Sequence, residues 1–170
     1  MHQDLLEQAN HLAARDSRRP KQANLRRAIS AAYYALFHYI VQEACAAQMG
    51  AQHQQLQYRR VLARAFVHAN MKKACKPFAG GTLPDVVRAK TGFQRVPPEI
   101  RTLARRLLEL QEKRHQADYD LTESFRRKDA YSLIKASENA IAAFSALPAA
   151  NDERRFFLAC LWAWPELSRR

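Results

Sequence analysis

The sequence predicts an all-α protein, an antiparallel up-down bundle of four to five long helices with a short C-terminal helix. Glycine is scarce, with 4 residues among 170, whereas alanine, leucine, arginine and glutamine, which favour helices, are plentiful. Apolar residues recur every three or four positions, the period of an amphipathic helix. A chain of 170 residues fits one helical domain (1–170), and we expect its core at 20–147.

Capping residues and apolar stripes place the first three helices. The first is expected at about 2–15. Pro20 suits the first turn of a long second helix, which should end at Gly50. Apolar positions then predict a third helix over about 52–75, with Ala69 facing inward.

The helical pattern breaks down between residues 76 and 98. This segment holds three of the four glycines and four of the seven prolines. A long irregular stretch in a compact domain is usually functional or mobile. Its basic residues favour a loop that faces nucleic acid, although a merely solvated basic loop explains them equally well.

Three further helices are predicted after this loop. Pro97-Pro98-Glu99 opens the fourth, with proline and an acid near the helix start, and it should end after Tyr119. The fifth is expected at about 127–146, where Pro148 stops it. A C-terminal helix at 150–165, capped by Asn151-Asp152-Glu153, should bury an apolar face that includes Trp162, on the bundle or on another subunit.

Charge and cysteine content limit the partners and the compartment. A net charge of +12 predicts attraction to polyanions, with RNA or DNA as first candidate and an acidic protein as second. The start lacks a signal-like pattern and no apolar stretch reaches membrane-spanning length, so we expect a cytoplasmic protein with no membrane partner. Three cysteines without metal-ligand spacing indicate reduced, mostly buried thiols. Nothing in the sequence indicates a metal or another cofactor.

The fourth helix carries a polar group on the face that its pattern predicts to be buried. Its stripe comprises Ile100, Leu103, Leu107, Leu110, Arg114, Ala117 and Leu121. Arg114 stands where a leucine is expected, with Asp118 one turn later, and His115 and Tyr119 form a second pair at the same spacing. These four are the candidate catalytic residues. In the alternative interpretation, Arg114 and Asp118 form a buried ion pair that fixes helix register, while His115 is solvated.

The second helix carries a supporting polar strip of Arg27, Ser30, Tyr34 and His38. The last three recur every four residues and therefore share one face of the helix. For Ser30 we favour a tight helix contact in which the hydroxyl bonds to backbone. For Tyr34 and His38, alignment with an arginine makes a functional site an equal alternative.

Together the two helices resemble the HEPN superfamily, in the bacterial branch that pairs an AYYA-x-F-H helix with a later R-x-x-A-D-Y helix. The motifs here are Ala32-Tyr33-Tyr34-Ala35-Leu36-Phe37-His38 and Arg114-His115-Gln116-Ala117-Asp118-Tyr119, and the resemblance spans about 20–144. It implies a helical bundle that commonly forms homodimers. It also implies metal-independent endoribonuclease activity, from an arginine and a histidine on one helix with four to six residues between them. Arg114 matches that arginine, whereas Tyr119 stands where the histidine is expected.

Three classes of function follow. In the first, the chain is a metal-independent endoribonuclease of toxin–antitoxin or phage-defence type. Arg114 then holds the phosphate and His115 transfers protons. Asp118 orients either of these two side chains, and Tyr119 donates a hydrogen bond to the phosphate. In the second, it is a non-catalytic module whose outer basic residues track RNA phosphates. In the third, it binds a protein partner, and the resemblance implies a minimal nucleotidyltransferase antitoxin that adenylylates a tyrosine.

Overall fold

The computed structural model describes residues 1–169 and shows an all-α helical bundle, as predicted. No β-strand occurs within these residues. Eight α-helices follow one another, and a 3-10 turn at His53–Gln55 precedes α3. The helices are α1 (His2–Ala14), α2 (Gln22–Met49), α3 (Leu56–Ala63), α4 (His68–Gly80), α5 (Asp85–Thr91), α6 (Pro98–Tyr119), α7 (Arg127–Ser145) and α8 (Asp152–Leu167).

One compact unit comprises Met1–Tyr39 and Arg106–Ala142. It contains α1, the first part of α2, the second part of α6 and most of α7. Its core is apolar, and its fully buried residues include Ala9, Leu25, Ile29, Leu36 and Ala130. The buried Ser137 hydroxyl donates to the carbonyl of Ala32 at 3.1 Å, so this polar group retains a partner inside the core.

The second unit comprises Ile40–Arg105 and the chain from Ala143 onward. Aromatic rings pack its interior: Phe157 lies 4.9 Å from Phe78 and 5.9 Å from Phe144, measured between ring centroids. Both contacts are edge-to-face, the arrangement that the ring quadrupoles favour. The apolar C-terminal helix α8 therefore packs within its own chain, against α4 among other elements.

A buried arginine also stabilises this second unit. Arg154 forms an ion pair with Glu43, donates to the carbonyl of Leu147 and lies 4.9 Å from the ring centre of Phe144. A guanidinium cannot lose its proton, so its burial requires such a set of acceptors. Asn151 caps α8 as predicted, because its side chain accepts from the Arg154 backbone N–H at 2.7 Å.

The single third helix expected at 52–75 is wrong, because the chain turns between α3 and α4. The backbone N–H groups of Arg64 and Ala65 bond three residues back, which tightens and ends α3. Phe66 is buried at this turn, whereas Ala69, expected to face inward, is exposed. The apolar residues of this stretch therefore do not share one helix face, and an interrupted chain buries them better.

The long irregular loop expected at 76–98 is also wrong. Helix α4 continues through Pro77 to Gly80, and the buried Phe78 anchors this last part of the helix. Helix α5 occupies part of the rest of the segment 76–98. Gly81 and Gly92 have φ of +85° and +76° and end the two helices in the left-handed conformation that glycine favours. Glycine and proline therefore mark helix ends here and do not form one loop.

Two expected core positions lie at the surface instead. Leu121 is 90% exposed because α6 ends at Tyr119, before the apolar stripe would reach it. Trp162 is 39% exposed, and Trp164 takes the buried position on α8. All three cysteines are buried and free, as predicted. Across the described residues, no helix is long and apolar enough to cross a membrane.

Replacing Phe157 by alanine should lower the free energy of unfolding by about 3–5 kcal/mol, because it removes a fully buried ring and leaves a cavity. The same substitution at the exposed Trp162 should cost about 1 kcal/mol or less. Urea denaturation of both variants measures the difference. Equal losses would contradict the packing of α8 described above.

Candidate functional site

The candidate residues of the two motifs meet where the last turns of α6 face α2, inside the first unit. Arg114 Nη2 donates to the Tyr34 hydroxyl at 3.0 Å. Arg114 Nε lies 2.6 Å from Asp118 Oδ2, and Ser30 Oγ donates to Asp118 Oδ1 at 2.6 Å. The two helices are thus joined by a polar network of four side chains, and Ser30 bonds to a carboxylate where we expected a backbone group.

Aromatic rings flank the Arg114 guanidinium. Its central carbon lies 5.5 Å from the ring centres of both Tyr34 and Tyr119, a distance that permits cation–π attraction. Burial opposes the charge, but Tyr34, Asp118 and Tyr119 together outweigh it and raise the pKa of Arg114 above its usual value. The site therefore keeps a fixed positive charge at its centre.

An exposed pair stands beside this half-buried network. The His115 ring lies 5.0 Å from the Tyr119 ring, centre to centre, and the Tyr119 side chain is 63% exposed. His115 is exposed as well, as the ion-pair interpretation also expected. A titratable imidazole and a phenol are thus presented to solvent next to a guanidinium.

The rest of the polar strip on α2 divides into a half-buried part and an exposed part. The His38 ring stacks on the Tyr34 ring at 6.1 Å between centroids. Burial lowers the pKa of His38, and the positive N-terminal amino group lowers it further. Arg27 is exposed and lines two cavities that adjoin the network.

Two cavities of about 360 Å³ adjoin the network, within the range of ligand sites in proteins. The first is lined by Ala23, Arg26, Arg27, Ala117, Asp118 and Tyr119. The second lies against α1 and is lined by Leu5, Gln8, Leu12, Arg27, Ser30, Ala31 and Tyr34. Space for a ligand is therefore present beside both Asp118 and Tyr34.

Sequence reasoning missed Arg26, which holds the end of α6. Its guanidinium donates to the carbonyls of Ala117 at 2.8 Å and Asp120 at 2.9 Å, and also to that of Glu123. It also lies 5.7 Å from the ring centre of Phe125. The last turn of α6 contains no basic residue, so Arg26 supplies the positive charge that a helix C-terminus favours. An arginine that donates to backbone carbonyls needs no partner side chain at a fixed spacing, so the sequence does not reveal its role.

Two further basic residues, Arg59 and Arg105, also donate to carbonyls at helix ends. Arg59 Nη1 donates to the carbonyl of Gly50 at 2.7 Å, just after α2. Arg105 Nε donates to the carbonyl of Ala79 at 2.8 Å, near the end of α4. Charge reversal at either position would therefore disturb the fold, and neither is suited to testing RNA binding.

Neither a metal cluster nor a known relative assigns a chemistry to this site. Within residues 1–169, no three histidine, cysteine, aspartate or glutamate side chains are grouped to hold a metal ion. No protein-family model, no curated protein and no solved structure matches this chain. Fold and site therefore define an all-α helical protein with a polar cluster between α2 and α6, and its function must be inferred from those residues.

Arg26→Ala should lower the free energy of unfolding by about 2 kcal/mol, because several α6 and loop carbonyls lose a charged donor. Hydrogen exchange should accelerate at the amides of 117–120. The neighbouring Arg27→Ala, which removes an exposed arginine, should cost about 0.5 kcal/mol or less. Similar effects of the two substitutions would show that Arg26 does not hold the end of α6.

His38 should make stability depend on pH. Because the folded pKa lies below the ordinary value of 6.5, the unfolded chain binds the proton more readily. Stability that the neutral ring contributes is present above about pH 6.5 and is lost as pH falls toward the folded pKa. Urea midpoints should therefore fall less steeply with acidification in His38→Gln. An NMR titration midpoint for His38 at or above 6.5 would contradict this.

Proposed function

We propose that this chain is a HEPN-like, cytoplasmic protein that acts on RNA as an endoribonuclease without a metal ion, at the polar end of α6. The observation that carries the proposal is the exposed His115–Tyr119 pair beside the permanently charged Arg114. Cleavage of RNA through its own 2′-hydroxyl requires a proton acceptor, a proton donor and a cation for the phosphorane. The side chains at this end of α6 supply each of these types.

The proposed step is a transesterification within the RNA strand. The 2′-oxygen forms a bond to phosphorus as the bond from phosphorus to the 5′-oxygen breaks, which leaves a cyclic phosphate and a 5′-hydroxyl. His115 accepts the 2′-proton, and Arg114 and Tyr119 donate hydrogen bonds to the phosphate oxygens. In a homodimer, the imidazolium of a second copy of His115 gives a proton to the departing 5′-oxygen.

Two further properties support action on RNA. The net charge of +12 attracts a polyanion irrespective of its sequence. The cavity beside Asp118 and Tyr119 offers room for a nucleotide next to the reacting groups. The exposed Leu121 immediately follows this end of α6 and supplies apolar surface of the kind that a homodimer would cover.

A second candidate function is a non-catalytic module that binds RNA or a protein partner such as a nucleotidyltransferase. The observation that favours it is the closed network, in which Asp118 already balances the charge of Arg114 and accepts from Ser30. A structural network of this kind needs no catalysis to explain it. Tyr119, an exposed residue, would then be the acceptor if the partner adenylylates this chain.

Cleavage of tRNA and of a single-stranded RNA in EDTA tests the catalytic proposal. We expect wild-type protein to cleave, and His115→Ala to be slower by about two to four orders of magnitude, because proton transfer is lost. Arg114→Ala should be inactive. The exposed His53 lies on another element, so His53→Ala controls for the loss of a surface histidine and should retain full activity.

Absence of cleavage by a folded wild-type protein, or equal rates in the two histidine variants, would overturn the catalytic proposal. Salt-sensitive RNA binding without cleavage would favour the second function. A mass increase of one adenylyl group on Tyr119, lost in Tyr119→Phe, would identify the nucleotidyltransferase as the partner.

A further inference from the structure

Two basic stretches that are distant in sequence are joined in the first unit. One is the connection between α1 and α2, and the other is the start of α7. The Gln22 amide donates to the Phe125 carbonyl at 2.9 Å and accepts from the Phe125 N–H at 2.9 Å. Arg127 donates to the carbonyl of Asp16, which adds a third connection. The two stretches are therefore neighbours in the fold.

Together they form a basic platform, defined by Arg18, Arg19, Lys21, Arg126, Arg127 and Lys128. All are exposed except the half-buried Arg127, whose guanidinium holds the two stretches together. Within the described part of the chain, none of the six forms an ion pair with a carboxylate. The Asp16 carboxylate attracts Lys21 electrostatically, so the protein offsets part of the charge of the platform and leaves the rest available to a polyanion.

The two acidic residues within these stretches accept hydrogen bonds from donors close to them in sequence. Asp16 accepts from the Lys21 N–H and from the Asn24 side chain, both at 2.8 Å. These hydrogen bonds, led by that from Lys21, lower the pKa of Asp16. Asp129 accepts from the Arg126 N–H at 3.1 Å and caps the start of α7. Both carboxylates therefore serve local structure.

The platform adjoins the candidate site through Arg26. This arginine lies over the ring of Phe125, which is joined to Gln22, and its guanidinium also bonds the Ala117 carbonyl. Ala117 immediately precedes Asp118 in the polar network. The platform and the end of α6 are thus connected through Phe125 and Arg26.

We propose that the basic platform binds the phosphate backbone of single-stranded RNA and holds the strand against the site. This inference rests on the proposed action on RNA and adds the surface that binds the substrate. RNA fits better than an anionic membrane because the six platform residues are all basic and include no large apolar side chain that would enter a bilayer. They include no aromatic ring for stacking either, so binding through them should be insensitive to base sequence.

The test measures the salt dependence of binding to a short oligouridylate whose 2′-oxygens are methylated and which therefore cannot be cleaved. The platform variant is Arg18→Gln/Arg19→Gln/Lys128→Gln. The control variant, Arg60→Gln/Arg64→Gln/Lys73→Gln, removes the same charge from exposed residues of the second unit. Each lost phosphate contact on a single strand lowers the slope of log K against log salt by about 0.7, so the platform variant should lose about 2. The control should keep its slope.

Equal changes in the two variants would overturn the platform, since binding would then follow net charge alone. No change in either would also overturn it, since the phosphate contacts would then lie elsewhere. Platform-dependent binding to phosphatidylserine vesicles, without a change in RNA slope, would overturn it in favour of a membrane. Circular dichroism confirms that both variants fold. If the platform variant alone loses slope while wild-type protein cleaves no RNA, the platform stands and the catalytic function fails.

Discussion

The carboxylate of Asp118 is the group on which the arrangement of α2 and α6 depends. It accepts from Ser30 on one helix and balances Arg114 on the other, and Arg114 in turn donates to Tyr34. A half-buried guanidinium without an anion would be costly, because it can neither lose its proton nor regain its hydration. The register of the two helices is therefore coupled to this carboxylate, and with it the position at which His115 is presented.

Positive charge serves three purposes in the first unit. Arg26 caps α6, because its guanidinium donates to carbonyls at the end of that helix. Arg114 provides a fixed charge within the polar network. In the described part of the chain the basic platform forms no ion pair with a carboxylate, and the proposed RNA contact rests on its net positive charge. These roles are linked by contacts, since Phe125 touches both Arg26 and Gln22, the first residue of α2. The basic platform and the candidate site thus lie in one unit.

The sequence predicts the long helices well and the short ones poorly, for physical reasons. Helices α2 and α7 have continuous apolar stripes and clear ends, so their predicted bounds agree with the structure within about two residues. The start of α6 agrees equally well, but its predicted stripe extends to Leu121, whereas the helix ends at Tyr119. The segment 76–98 contains α5 and the end of α4, and Gly81 and Gly92 stand at their ends. In this segment the positions of the glycines and prolines indicate where helices end, whereas their number wrongly suggests one long loop. Packing around Phe78 outweighs the helix-breaking tendency of Pro77.

Within the candidate site, the sequence predicts what lies on one helix. The four-residue spacing predicts the Arg114–Asp118 pair, which the structure contains with side chains 22% and 21% exposed. Its bonds to Ser30 and Tyr34 depend on how two helices pack, which spacing along one helix cannot show. The most direct measurement is a double-mutant cycle on the Arg114–Asp118 pair, compared with the Arg106–Glu109 pair of the same helix, whose side chains are 44% and 42% exposed. We predict a coupling energy of about 1 kcal/mol or more for the first pair and about 0.5 kcal/mol or less for the second. Equal coupling energies would contradict the central place given to the Asp118 network.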